Sequence, residues 1–174
     1  MLDFFQNLDN ILLIFIQENL RNNILDFIMP MITKLGDVGA IWILITLVFL
    51  SRKKYMSMGI MLMIALIAST LVGSLVLKPL IARPRPFELN PDIVMLISLP
   101  TDYSFPSGHT SAAFASAAVL LMNHKRFGIY ALILGSLIAF SRMYLFVHYP
   151  TDVLAGILLG TAAGVLSVFF LKKY

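Results

Sequence analysis

The chain predicts an all-α fold: a polytopic bundle of membrane helices. Three observations carry that prediction. The 174 residues are 59% hydrophobic and only 13% charged, and the mean hydropathy of +0.89 is too high for a soluble domain. The apolar residues gather into long runs separated by short polar loops. Cations cluster in alternate loops, as the positive-inside rule requires of a multi-pass protein. We expect five transmembrane helices, or six if the N-terminal segment also crosses, preceded by helices at the interface.

The first 35 residues are the least regular. Ile11 to Ile16 is apolar, but Gln17, Glu18, Asn19, Arg21, Asn22 and Asn23 interrupt any run of spanning length. Residues 1–35 therefore read as two amphipathic helices lying at the outer interface. A sixth span with its polar residues facing the bundle is the alternative. Residues 36–174 form the remaining unit, a transmembrane core. Its first span, 36–50, is short and relies on the preceding apolar residues or on flanking charges that snorkel. Spans at 56–77, 107–122, 127–147 and 153–171 follow, near the roughly 20 apolar residues a crossing needs. Their intervening cations, Arg52-Lys53-Lys54, Lys125-Arg126 and Lys172-Lys173, mark cytoplasmic loops. Lys78, the 79–106 loop, His109, His148 and Asp152 then share the opposite, extracytoplasmic face of the cell (plasma) membrane. No cleavable signal peptide is visible, because the first residues are acidic and amide-rich rather than basic. The absence of cysteine excludes disulfides and thiol chemistry.

The last span carries Gly156-x3-Gly160-x3-Gly164, small residues on one helical face that permit close backbone approach. Ser111, Ala115 and Ala118 offer a matching face on the 107–122 helix. Both helices begin at a motif, so their packing would bring the two motifs together.

The motifs suggest phosphate-ester chemistry. Pro150 disfavours a helical Tyr149, so the 127–147 helix should end near His148, and Asp152 should fall in the first turn of the next helix. A carboxylate there can hold one imidazole nitrogen of His148 and leave the other free to attack phosphorus. Ser107 can cap a helix whose first turn holds Gly108 and His109. Such an N-terminus presents amide donors to an anion, and His109 beside it is placed to protonate a leaving oxygen. Lys78, Arg85 and Arg142 complete a cationic cradle. Arg142 lies six residues before His148, about 120° round a helix. Any one of these residues alone could be an interfacial anchor, but anchoring needs neither a Pro-Ser-Gly-His turn nor an Asp four residues past a His. Arg83 reads either as a substrate contact or as a loop cation, and His124 as a solvated loop residue. A metal site fits poorly, because each histidine neighbours cations rather than a dense set of ligands; no metal and no cofactor are expected.

Lys78-x6-Arg85-Pro86, Pro106-Ser107-Gly108-His109 and Ser141-Arg142-x5-His148-x3-Asp152 resemble the three signature motifs of the type 2 phosphatidic acid phosphatase (PAP2) superfamily, matched in full and in order. The resemblance covers roughly 36–174. It implies that His148 is the nucleophile, Asp152 its orienting partner and His109 the general acid. By the same resemblance Lys78, Arg85, Ser107, Gly108 and Arg142 are phosphate binders. It further implies a compact helical bundle acting on lipid phosphates without a metal, through a phosphohistidine. The expected partner is a lipid phosphate or diphosphate within the membrane lipids, not nucleic acid. Undecaprenyl (polyprenyl) diphosphate is the first expectation, ahead of phosphatidylglycerophosphate, phosphatidate or a lipid A phosphate. A non-hydrolytic lipid-phosphate transporter is the alternative of another class.

Overall fold

The structure is a computed structural model that describes residues 2–172, and all regular secondary structure among them is helical. Two N-terminal helices, α1 (Leu2–Asn19) and α2 (Asn23–Leu35), are joined by a short turn in which the Asn22 side chain caps α2. A 3-10 turn at Asp37–Gly39 leads into α3 (Ala40–Leu50). Next, α4 (Met56–Thr70) runs through a π-helical stretch, Leu71–Leu77, into α5 (Lys78–Ile81). A single turn, α6 (Pro86–Leu89), and an irregular loop precede the three last helices. These are α7 (Gly108–Asn123), α8 (Lys125–Tyr144) and α9 (Pro150–Leu171).

Three helical runs, Lys53–Leu89, Lys125–Tyr144 and Pro150–Leu171, are long and apolar enough to cross a membrane. There are four if α2 and α3, bent by 43° at their junction, count as one. The span expected at 36–50 is the 11-residue α3, which reaches spanning length only together with α2. The span expected at 107–122 exists as α7, but its 16 residues reach only about 24 Å. It is the most enclosed helix, with Ala113, Ala115 and Val119 fully buried. The bundle closes around it on Trp42, Met61, Leu62, Ala65 and Ile138. Large apolar side chains such as Leu75, Ile133, Leu158 and Phe169 face outward. Helices apolar on both inner and outer faces suit a lipid environment, where the outer surface meets hydrocarbon rather than water.

The glycine stripe does what its spacing predicts. A Cβ on Gly156 would come within 2.7 Å of the Ser107 carbonyl oxygen, one on Gly160 within 2.2 Å of that of Ser111, and one on Gly164 within 2.6 Å of that of Ala115. Only glycine lets α9 lie this close to α7, and the contact aligns the heads of both helices: the Ser107 amide donates to the Asp152 carbonyl at 3.1 Å.

The end of α8 differs from expectation. The helix stops at Tyr144 rather than near His148. Pro150 restrains only Tyr149; what ends the helix is a hook at 145–149, with Phe146 in the left-handed region (φ 58°). The Val147 and His148 amides both return to the Arg142 carbonyl, at 3.2 and 3.3 Å. Arg142 therefore reaches His148 through this hook, not around a helical surface.

Candidate active site

His148 sits in the α8–α9 turn, 1% exposed. Arg85 Nη1 lies 3.3 Å from its Nε2, and Ser104 Oγ lies 3.4 Å from its Nδ1. Asp152 Oδ2 is 3.6 Å from Nδ1, an ion-pair distance rather than a hydrogen bond. Ser104 bridges the gap, since its hydroxyl also donates to Asp152 Oδ2 at 2.5 Å. Asp152 is fixed further by the Tyr149 amide at 2.9 Å, which makes it a cap of α9. Arginine has no acceptor, so the Nε2 beside it presents a lone pair and Nδ1 carries the proton. Burial drives the His148 pKa down to about 3; Asp152 opposes this, and the Arg85 and Arg142 charges add to it. The ring is neutral.

The cations meet here as the motifs predict. Arg85, 2% exposed, also donates to the Val147 carbonyl (2.7 Å) and, through Nε, to the Asp102 carbonyl (2.7 Å). Lys78 is delivered by the π-helical stretch, a local widening often found at functional sites. Both cations converge on one carboxylate: Asp102 takes Lys78 on one oxygen and Arg85 Nη2 on the other, the latter at 2.6 Å. Burial alone would raise the Asp102 pKa, but the Lys78 hydrogen bond and charge, with Arg85, bring it down to about 2. Arg142, 3% exposed, donates Nη1 to Thr33 Oγ1 at 2.6 Å, while its buried Nε has no partner among the described residues.

Ser107 occupies the position preceding α7, yet its hydroxyl caps no amide of the first turn. It is fully buried and accepts the Thr110 hydroxyl at 2.9 Å. Lacking a side-chain cap, the first-turn amides are left for another acceptor. A Cβ on Gly108 would meet only open space. His109 Nε2 lies 2.9 Å from Asp37 Oδ1.

A cleft of about 920 Å³ unites these groups. Lys78, Arg85, Asp102, Gly108, His109, Arg142 and His148 line its polar end, and it continues between α3 and α4 past Ile43, Leu47, Met63, Leu66 and Ile67. Asp152 and Ser107 stand behind it, both fully buried.

Arg83 is not a loose loop cation. Its Nη1 donates to Asp152 (2.7 Å) and Thr151 (2.8 Å), and its Nη2 to Asp9 (2.7 Å) and Gln6 (2.6 Å). Asp9 in turn accepts the Thr151 amide at 2.9 Å. The N-terminal helices thus reach the site through Asp9 and Thr33. Ser104, Asp102, Asp37, Thr33 and Asp9 all escape sequence reasoning, because each lies outside a motif and meets its partner across a large sequence separation. His124, expected to be solvated, is half-buried and stacks on Phe127 with ring centroids 4.0 Å apart.

Fold and site together define an all-helical membrane protein with a neutral histidine, a carboxylate behind it and a cationic pocket in front. The chain belongs to the PAP2 superfamily, whose family model matches residues 54–173. It is 37% identical over 129 residues to the undecaprenyl-diphosphatase of Sulfolobus acidocaldarius, covering 74% of this chain and 62% of that protein; the match spans about three fifths of the relative's length. It is 33% identical over 154 residues to the undecaprenyl-diphosphatase BcrC of Bacillus subtilis, covering 84% and 75%. The crystal structure of a transmembrane PAP2-type phosphatidylglycerolphosphate phosphatase from Bacillus subtilis superimposes with a TM-score of 0.77 at 29% identity, covering 97% of this chain and 86% of that one.

Proposed function

We propose that this chain is a metal-independent membrane lipid phosphatase that removes the terminal phosphate of a polyprenyl diphosphate, undecaprenyl diphosphate foremost. The observation that carries the reading is the bare Nε2 of a neutral, buried His148 facing a pocket with Lys78, Arg85 and Arg142. The two relatives named as undecaprenyl-diphosphatases support the substrate.

In this mechanism the terminal phosphate displaces the Asp102 carboxylate and is held by Lys78, Arg85, Arg142 and the amides of Gly108 and His109, with Ser107 fixing that turn. The partnerless Nε of Arg142 favours such an anion. The Nε2 lone pair forms a bond to phosphorus as the phosphorus–oxygen bond breaks. The departing oxygen takes the electron pair and a proton from His109. Asp152 and Ser104 steady the Nδ1–H of the resulting phosphohistidine. Water then attacks phosphorus, His109 takes its proton, and the nitrogen–phosphorus bond breaks to release orthophosphate. Charge on the equatorial oxygens is met by the fixed cations throughout.

The cleft between α3 and α4 receives the start of the hydrocarbon chain, and the headgroup stays at the helix ends. Arg52, Lys53, Lys54, Lys125, Arg126 and Lys172 lie at the other ends of these helices, which supports a site on the extracytoplasmic face of the plasma membrane. On this reading α3, α4 with α5, α7, α8 and α9 are five spans, a finer count than the three or four helices long and apolar enough to cross. Residues 1–35 lie at the outer interface as a unit beside the 36–174 core.

The test is phosphate release by the detergent-solubilised protein from undecaprenyl diphosphate, phosphatidylglycerophosphate and phosphatidate, with EDTA present. Undecaprenyl diphosphate is expected to be hydrolysed with the highest kcat/KM. His148→Ala should abolish turnover, by about 10⁴-fold or more, and His109→Ala should lower it about 10²- to 10⁴-fold. Turnover that survives His148→Ala, or that EDTA removes and a divalent ion restores, would contradict the mechanism.

A further inference from the structure

We propose that Asp37 is a positioning residue for His109: its carboxylate holds the ring and its positive charge, so that the other ring nitrogen delivers the proton to the leaving oxygen. This rests on the phosphatase reading above.

Three observations place the carboxylate there. Asp37 Oδ1 lies 2.9 Å from His109 Nε2, and no other carboxylate pairs with this histidine among the described residues. The preceding residue must be glycine, because a Cβ on Gly36 would stand 2.7 Å from His109 Cδ2. The connector's backbone therefore lies close against the ring. Immediately after Asp37 the chain takes two left-handed residues, Val38 (φ 54°) and Gly39 (φ 72°). For a β-branched residue this conformation is strained. Val38 is 93% exposed, so the strain does not serve to bury its side chain. It serves a turn that brings the connector against His109 before α3 begins.

The charges around His109 explain why a carboxylate is needed. Arg142 from α8 and Arg85 from the loop after α5 share its cleft, as do Lys34, Lys78 and His148. Asp102 shares the cleft but is taken up by Lys78 and Arg85. A cationic setting disfavours a protonated imidazole. Asp37 opposes that repulsion. With Nε2–H on Asp37, the proton on Nδ1 passes to the leaving oxygen as that oxygen takes the electron pair of the broken phosphorus–oxygen bond. The same Nδ1 later takes a proton from the attacking water. Asp37 lies outside the region matched by the family model.

The experiment compares the full chain with Asp37→Asn, Asp37→Glu and His148→Ala from pH 5 to 9, using farnesyl diphosphate and an aryl phosphate with an acidic phenol as leaving group. Asp37→Asn is expected to move the alkaline limb of kcat/KM down by about one pH unit. On farnesyl diphosphate at pH 8 its kcat should fall about tenfold with KM little changed. The loss should shrink on the aryl phosphate, whose leaving group needs little protonation, and Asp37→Glu should restore the limb. An unchanged inhibition constant for inorganic vanadate reports an intact pocket in each variant; if Asp37→Asn fails that check, Asp37→Ser replaces it. An unmoved limb, a uniform loss at every pH, or equal losses on both substrates would overturn the assignment. Wild-type protein that releases no phosphate, or His148→Ala that still does, would instead indict the parent reading.

Discussion

Arginine can only donate, so the nitrogen of His148 that faces Arg85 must be unprotonated. This residue-level constraint leaves the proposed nucleophile a free lone pair in the resting protein and links it to pH. The ordinary histidine pKa of 6.5 falls to about 3 on folding. A depressed pKa means that the unfolded chain takes up the proton first. The stability His148 contributes is therefore present above about pH 6.5 and lost as pH falls toward 3. In ¹⁵N-labelled protein the His148 ring should keep its neutral, Nδ1–H signature from pH 8 to about 4. Titration with a midpoint near 6.5 would contradict the assigned environment. Asp102 invites a second test, because in the proposed mechanism the entering phosphate displaces it. Its side chain is 57% exposed, so solvent screens its pairs with the buried Lys78 and Arg85. Asp102→Asn should therefore lower KM and the vanadate inhibition constant a few-fold, with kcat little altered. A rise in both would make Asp102 a support of the cradle rather than a competitor for it.

At the level of elements, the α7–α9 contact sets the register of the site. Gly160 meets the Ser111 carbonyl oxygen, a backbone atom that cannot swing aside. Gly160→Ala should cost about 1–3 kcal/mol through overpacking, despite alanine's better helix propensity, and should reduce activity by parting Asp152 from Ser107. Thermal unfolding in detergent checks this; a variant as stable as wild type would refute the close approach. This contact was legible in the sequence, because a four-residue glycine spacing has one structural use on a helix. So were the three motif patches and most helix positions. Where α8 ends was not, since a proline restrains only its neighbour. The hook depends on the Arg142 carbonyl accepting two amides and on a left-handed Phe146, neither of which leaves a pattern. The break between α2 and α3 was equally hidden, as an apolar run does not announce a 43° bend.

For the whole molecule, the contacts of the N-terminal helices are what the sequence reveals least. Residues 1–35 carry no motif, yet Asp9 binds Arg83 and Thr151, Gln17 binds the Tyr144 carbonyl, and Thr33 binds Arg142. These polar contacts fall at the site end of α8 and α9, so the segment buttresses the pocket from outside. Such pairings join residues more than 70 positions apart and cannot be read from local spacing. The most direct test of the central claim is to mix the enzyme with terminally ³²P-labelled undecaprenyl diphosphate, quench with alkali, and map the label. An acid-labile, alkali-stable phosphoryl group on the peptide containing His148, absent from His148→Ala, is the predicted result. Continued hydrolysis with no label on His148 at any quench time, in protein that His148→Ala leaves active, would contradict it.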